Sequence, residues 1–239
     1  MLRKTNISLF ILISITVSVF SQRVIPLEEI NSQYDEVTPV LSTDGEKLYF
    51  TRIGYPTFNK TLIRNGEHMT YQLSDDEVEM MMQDVYSEIS GKFIENPVSS
   101  RFNQDIWVAY LDEEFNVDAI SHPIYPLNNI YPNSVLAFNR KKDEIIVINE
   151  FTESGSVYEG VSSVPENNYS NELPEPLPIQ GFYTNDEQVN LSMNSDGDAI
   201  IWALNRNDSN GSRDLYISFF IGNSYWSAPE NLGTDINTD

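Results

Sequence analysis

Few residues of this chain have the type and spacing for chemistry. His68 and His122 are its two histidines. Neither has a second ligand at metal spacing such as His-x-x-x-His. His122 stands just before Pro123 and reads as a loop or packing residue. Ser195-Asp196-Gly197-Asp198 invites a calcium loop, but the spaced oxygen ligands and closing Glu of an EF-hand are missing. A β-turn explains the same residues. Arg206 and Arg213 could begin an arginine cluster for a substrate carboxylate, but no third arginine stands near them. Gly155-Ser156 and Gly160-Val161-Ser162-Ser163 lack the Gly-x-Ser-x-Gly of a nucleophile elbow. No glycine loop fit to cradle phosphate is present. With 36 Asp and Glu residues, acid pairs occur everywhere and single out no glycosidase pair. The expectation is no catalytic, cofactor or metal residue.

Two other groups resemble sites but are read as core. Met80-Met81-Met82 could be a soft partner-binding cluster; one core Met beside two partly exposed ones explains it as well. Trp107, Trp202 and Trp226 could form a carbohydrate platform, but each falls in a strand or terminal phrase, where packing is its role. Asn207 to Ser212 is a polar loop that selects no ligand.

The elements that must position these residues are repeated. Tyr34 to Phe50 and Asn185 to Trp202 each contain an alternating apolar run, an Asp-Gly turn and a second apolar run. That is a β-hairpin pattern, with Gly supplying the positive φ of the turn. The repeat has a second half. Asp105-Ile106-Trp107-Val108-Ala109-Tyr110 matches Asp214-Leu215-Tyr216-Ile217-Ser218-Phe219, and a Pro/Leu/Asn-containing phrase follows each. Leu127, Leu177 and Leu232 in these phrases recur about every 50 residues, the size of a four-stranded propeller blade. The chain is therefore expected to be all-β: about three four-stranded β-propeller units, forming an incomplete propeller. Blade one is 31–129 with a helical insertion at 57–101. Blade two is 130–181, with strands at 134–138, 144–148 and 157–164 and no Asp-Gly turn. Blade three is 182–233, and 234–239 begin a further blade. In the insertion, Ser74-Asp75-Asp76-Glu77 is a capping box. Val78, Met82, Val85 and Ile89 then share one helix face, and Gly91 ends it.

Residues 1–21 read as a signal helix. Arg3 and Lys4 precede the apolar run Ile7 to Phe20, and Val19-Phe20-Ser21 fits a cleavage site before Gln22. The run is short for a membrane span and contains Ser14, Thr16 and Ser18, so the mature chain, 22–239, is expected to carry no transmembrane span. There is no cysteine, so export brings no disulfide and stability must come from burial. The formal net charge is −22. Such a chain repels nucleic acid and anionic lipid, whose binding needs Lys and Arg.

The motif Ser42-x-Asp44-Gly45 with Leu48-Tyr49-Phe50, then Asp214-Leu215-Tyr216-Ile217-Ser218-Phe219, then Trp226-Ser227-x-Pro229-Glu230-Asn231-Leu232-Gly233 with Ile236-Asn237, resembles the WD40-like (TolB-type) β-propeller repeat. Glu187 through Asn237 is most similar to exported proteins of Bacteroidetes-type bacteria, in which such repeats often precede an OmpA-like peptidoglycan-binding domain. The resemblance implies a non-enzymatic scaffold or protein-binding module in the periplasm or outer membrane of a Gram-negative cell. It would hold envelope protein partners, use no cofactor, and meet peptidoglycan only indirectly, through an OmpA-like domain not in this chain. The competing expectations are the accessory propeller of an exported peptidase or glycosidase, and a glycan-binding module.

Overall fold

The computed structural model describes residues 26–152, 157–166, 173–186 and 189–238. The expected signal, 1–21, lies outside the described residues, as do Gly155-Ser156 and Glu187. Alternating apolar runs pair into three large antiparallel sheets and one small hairpin, with a single helix among the described residues.

In the first sheet, β1 (Asp35–Leu41) turns into β2 (Lys47–Ile53). The chain then leaves the sheet through β3 (Ile63–Arg64), β4 (Glu67–His68) and α1 (Asp75–Ser90). It returns as β5 (Gln104–Leu111) and ends in β6 (Val117–Ser121), in the order β1-β2-β5-β6. The insertion does not disturb the ladder. Ile53 still faces Gln104 in register, and Gly54 N donates to Asn103 O at 2.8 Å. With its ends held this close, a long excursion adds little beyond loop-closure entropy. The second sheet comprises β7 (Val135–Asn139), β8 (Glu144–Phe151), β9 (Val157–Pro165) and β10 (Glu175–Pro176), ordered in sequence. The third has β11 (Asn190–Met193), β12 (Ala199–Leu204) and β13 (Asp214–Gly222). Its fourth position is divided between β14 (Tyr225–Trp226) and β15 (Glu230–Asn231), both paired to β13.

The Asp-Gly turns have a common construction. Gly45 and Gly197 take φ +81° and +65°, conformations costly for residues with a Cβ. Ser42 Oγ donates to Asp44 Oδ1 in the first, and Asn194 Oδ1 accepts from Asp198 N and Ala199 N in the second. The second sheet makes its turn without glycine. Asp143 takes φ 53°, and Asn139 Oδ1 accepts from Lys141 N, the side-chain turn Asn favours.

The first strands lie together, with β7 touching both β1 and β11. The sheets pack face to face through two apolar cores. Tyr49, Ile106 and Val108 of the first sheet meet Phe138, Ile145 and Val147 of the second. Ile146 and Val161 on the opposite face of the second meet Ile200, Trp202 and Tyr216 of the third. A third core, Phe50, Ala109 and Leu111, covers the outer face of the first sheet with Leu27 and Ile30. The described sheets do not close into a ring.

Helix α1 has the expected capping box: Ser74 accepts from Glu77 N, and the Glu77 carboxylate accepts from Ser74 N. Gly91 caps the other end in the left-handed region. Val78, Met82 and Val85 are buried with Leu62, Phe102 and Ile130. The expected fourth core position, Ile89, is instead 46% exposed. Tyr86 takes that role, buried and donating its hydroxyl to Ile130 O at 3.1 Å. The last turn of α1 overhangs the insertion's core, so a residue one turn beyond Val85 loses its partners. Of the Met triplet, Met82 is buried, Met81 partly buried and Met80 exposed. Met82→Ala should therefore cost about 2–5 kcal/mol and Met80→Ala no more than about 0.5 kcal/mol, read from urea denaturation midpoints.

Candidate functional site

Among the described residues, one histidine closely approaches a carboxylate, which invites an acid–base reading. His122 Nε2 lies 2.8 Å from Asp105 Oδ2, and its ring stacks on Trp107 at 4.3 Å between centroids. The Arg52 guanidinium also lies over Trp107, and pairs with Glu36 at 2.8 Å. The repeat shows what this constellation is for. Asp214 starts β13 as Asp105 starts the apolar part of β5. Asp214 Oδ2 accepts from Asn231 Nδ2 at 2.8 Å, again 17 residues later in the chain. Asp105 also accepts from the backbone of Asn59, and Asp214 from that of Asn210 and Gly211. Six residues beyond His122 and Asn231 stand Asn128 and Asn237. Each accepts from the next strand residue's N–H, that of Ile106 or Leu215, and donates to the same residue's carbonyl. His122 thus occupies the place of an Asn side chain, which cannot serve as an acid or base. The role common to both is to tie the closing phrase of each unit to its third strand.

The other sequence candidates are held by similar local bonds. His68 faces Tyr71 edge-on, with Nδ1 3.3 Å from Thr70 Oγ1. Arg206 lies over Tyr183 at 4.0 Å, whereas Arg213 pairs with Asp186. Ser162 is buried within β9, its hydroxyl donating to Asn149 O. Trp202 and Trp226 are buried, so their rings offer no platform. The loop at 207–212 folds back on Asp214 through Asn210 and Gly211. Among the described residues, no three His, Asp or Glu side chains converge as metal ligands.

The structure assembles a different site that no short motif announces. A cleft of about 830 Å³ opens between the insertion, the first two sheets and the segment leading to β11. One wall is the overhanging end of α1, with Val85, Glu88 and Ile89. The first sheet contributes Ile53 and Gln104, and the turn before β5 contributes Arg101 and Phe102. The second contributes Ile148, Asn149 and Tyr158 to Gly160, the loop before β7 supplies Tyr131, and the segment leading to β11 supplies Thr184, Asn185, Asp186 and Val189. Arg64 reaches it from the β3–β4 hairpin.

Each wall has a local cause. Asn149 sits at a bulge between β8 and β9 with φ 75°, a left-handed conformation that Asn tolerates better than most residues. Its Nδ2 donates to Pro132 O. At Gly160 an added Cβ would come within 2.6 Å of the Glu150 side chain. Burial pushes the Glu150 carboxyl above its ordinary value. Glu159 accepts from Thr184 N at 2.6 Å, joining the segment before β11 to the second sheet. The lining combines rings, amides, guanidinium groups and the carboxylates of Glu88, Glu159 and Asp186 with apolar side chains, the composition of a recognition surface. Tyr158, 60% exposed, and Ile89 stand at its rim.

Comparison with protein-family models and with curated proteins finds no match for this chain.

Two outcomes follow from the carboxylate ties. His122→Gln, which keeps a donor, should retain more stability than His122→Ala, which should lose about 1–3 kcal/mol by leaving a buried acceptor short of a donor; thermal and urea unfolding compare them. At Asp214, burial raises the pKa, but the hydrogen bonds from Asn210, Asn231 and Gly211 outweigh it and the carboxyl titrates below its ordinary 3.8. A depressed folded pKa stabilises above the unfolded value, and that stability is lost as pH falls through the folded one. Unfolding measured from about pH 5 to pH 2 should fall less steeply in Asp214→Asn than in the native chain.

Proposed function

We propose that the chain is a non-enzymatic recognition module of the bacterial envelope, built from successive WD40-like propeller blades, and that the cleft binds an extended segment of a protein partner. The observation that carries this reading is the cleft itself. Its walls come from two sheets, from the segment leading to the third, and from a helical insertion spliced between adjacent strands. Its lining holds the groups that recognise main-chain amides and side chains.

The blade reading is supported by the strand order and by the adjacency of β1, β7 and β11. It is supported also by a constant rule of facing. Leu48, Ile145 and Ile200 follow the turn at the same place in each unit, and Phe50, Val147 and Trp202 stand two residues on. In the second and third sheets these positions face the preceding sheet, while Tyr49 and Ile146, between them, face the following one. The envelope assignment rests on the leader-like N-terminus and the resemblance stated above, and an OmpA-like domain as anchor rests on that resemblance alone. A formal charge of −22 disfavours nucleic acid and anionic lipid as ligands. No described helix is long and apolar enough to cross a membrane.

The test is a crosslinking pull-down from intact envelopes with the native chain, Tyr158→Ala and Ile89→Glu. Both side chains are exposed, so both variants should fold. Each should lower recovery of a specific envelope protein by about tenfold, the effect of removing an interface residue worth roughly 1.4 kcal/mol. Undiminished capture by folded variants would remove the cleft from partner binding.

A further inference from the structure

Four steps of this chain place an Asn or Asp before glycine: Asp44-Gly45, Asn65-Gly66, Asp196-Gly197 and Asn210-Gly211. In such a step the glycine nitrogen, unshielded by a Cβ, can attack the preceding side-chain carbonyl. Asparagine is the more reactive of the two, because its amide is thermolabile whereas an ionised carboxylate resists attack. The fold treats the four steps differently. In three of them the glycine N–H is already bonded. Gly45 N donates to Ser42 O at 3.2 Å and Gly197 N to Asn194 O at 3.1 Å. Gly211 N donates to Asp214 Oδ1 at 3.2 Å, beside the bond from Asn210 N to Oδ2. Gly66 N has no acceptor among the described residues.

The turn explains the difference. β3 and β4 pair Ile63 with His68 and Arg64 with Glu67, which leaves Asn65 and Gly66 as a two-residue loop. Both take positive φ, 51° and 80°, as a type I′ turn requires. In that turn the flanking residues bond each other and the N–H of the second loop residue is left to solvent. Asn65 and Gly66 are exposed, and a Cβ placed on Gly66 would meet nothing within 4 Å, so a ring has room to form there. A hairpin of two paired residues per strand, outside the three large sheets, is marginal by itself and opens locally. Asn210 stands in the opposite situation. Taking the proton from Gly211 N would break its bond to Asp214, which is 2% exposed, and set a second negative charge against that carboxylate.

We propose that Asn65 is a site of spontaneous deamidation, while the fold protects Asn210. Gly66 N attacks Asn65 Cγ, the new N–Cγ bond closes a cyclic imide, and the side-chain amide leaves as ammonia with the proton from Gly66 N. Water then adds to either imide carbonyl and breaks its bond to nitrogen. One opening gives Asp at 65 and the other isoaspartate, with no oxidation or reduction. Each product adds a carboxylate, and isoaspartate also lengthens the main chain by one carbon, which the two-residue turn between Arg64 and Glu67 cannot absorb in register. Arg64 lines the cleft, so the modified turn lies at its rim. The proposal rests on the turn and not on what the cleft binds.

The experiment incubates the purified full chain in mildly alkaline buffer and follows Asn65 and Asn210 by peptide mapping with mass spectrometry, aspartate and isoaspartate being separated by chromatography. Asn65 should convert at least about tenfold faster than Asn210, a barrier difference of about 1.4 kcal/mol. In urea that unfolds the chain the two rates should come together, because only the fold distinguishes the two Asn-Gly steps. Asn65→Gln, a change at an exposed turn, should abolish the early acidic species on isoelectric focusing. Equal rates in the folded chain, faster conversion at Asn210, or a difference that persists in urea would overturn the proposal. The envelope pull-down tests the cleft and the peptide map tests the turn, so each can fail without the other.

Discussion

A buried carboxylate at the head of a strand is the constraint on which the unit depends. Asp105 and Asp214 are almost wholly buried. A buried carboxylate persists only when donors surround it. The chain supplies those donors from both sides: backbone N–H groups of the loop entering the strand, and a side chain from the phrase that closes the unit. The first and third units are thereby fastened end to middle. Asn128 and Asn237 add a second tie to the neighbouring strand residue, replacing the ladder bonds that an irregular segment cannot make. The strictness of this geometry explains why the closing phrase repeats while its strands vary.

That fastening leaves other regions free to change. The connection between β2 and β5 absorbs a helix and a hairpin because the ladder on either side is complete. The insertion brings its own core of Leu62, Val78, Met82 and Tyr86, which joins the body through Phe102 and Ile130. Its last helical turn projects past that core to wall the cleft. The second sheet departs most from the repeat. It has no Asp-Gly turn, and it carries the bulge at Asn149 and the close approach at Gly160. The bulge and the glycine both line the cleft, whereas the turn lies at the other end of β8. A repeat conserves what holds it together, so residues that break its rules are where recognition can be placed without loss of the fold.

The pairing of His122 with Asp105 shows how a repeat corrects a chemical interpretation. Taken alone, a histidine hydrogen-bonded to a buried acid and stacked on tryptophan looks like half of a catalytic relay. Beside its counterpart Asn231 it is a tie with a larger ring. The stacking on Trp107 and the guanidinium of Arg52 fill a space that the third unit fills with Tyr216 and Arg206.

Local pattern determined a good deal of this protein. The hairpins, the third strand of each of the first and last sheets, the capping box at Ser74 and the buried methionine at Met82 were all legible, because each depends on residues within a few positions or on a repeat. Ile89 was not, since periodicity marks a helix face but not where the facing core ends. The cleft was not legible either. It joins residues from Ile53 to Val189, contributed by two sheets, an insertion and the segment leading to β11, and no single stretch carries more than a few of them. Which face of the third sheet is covered and which is bare was likewise decided by tertiary packing. Continuous apolar runs such as those of β8 and β12 are apolar on both faces, and only the stacking of whole sheets determines which of them meets a partner.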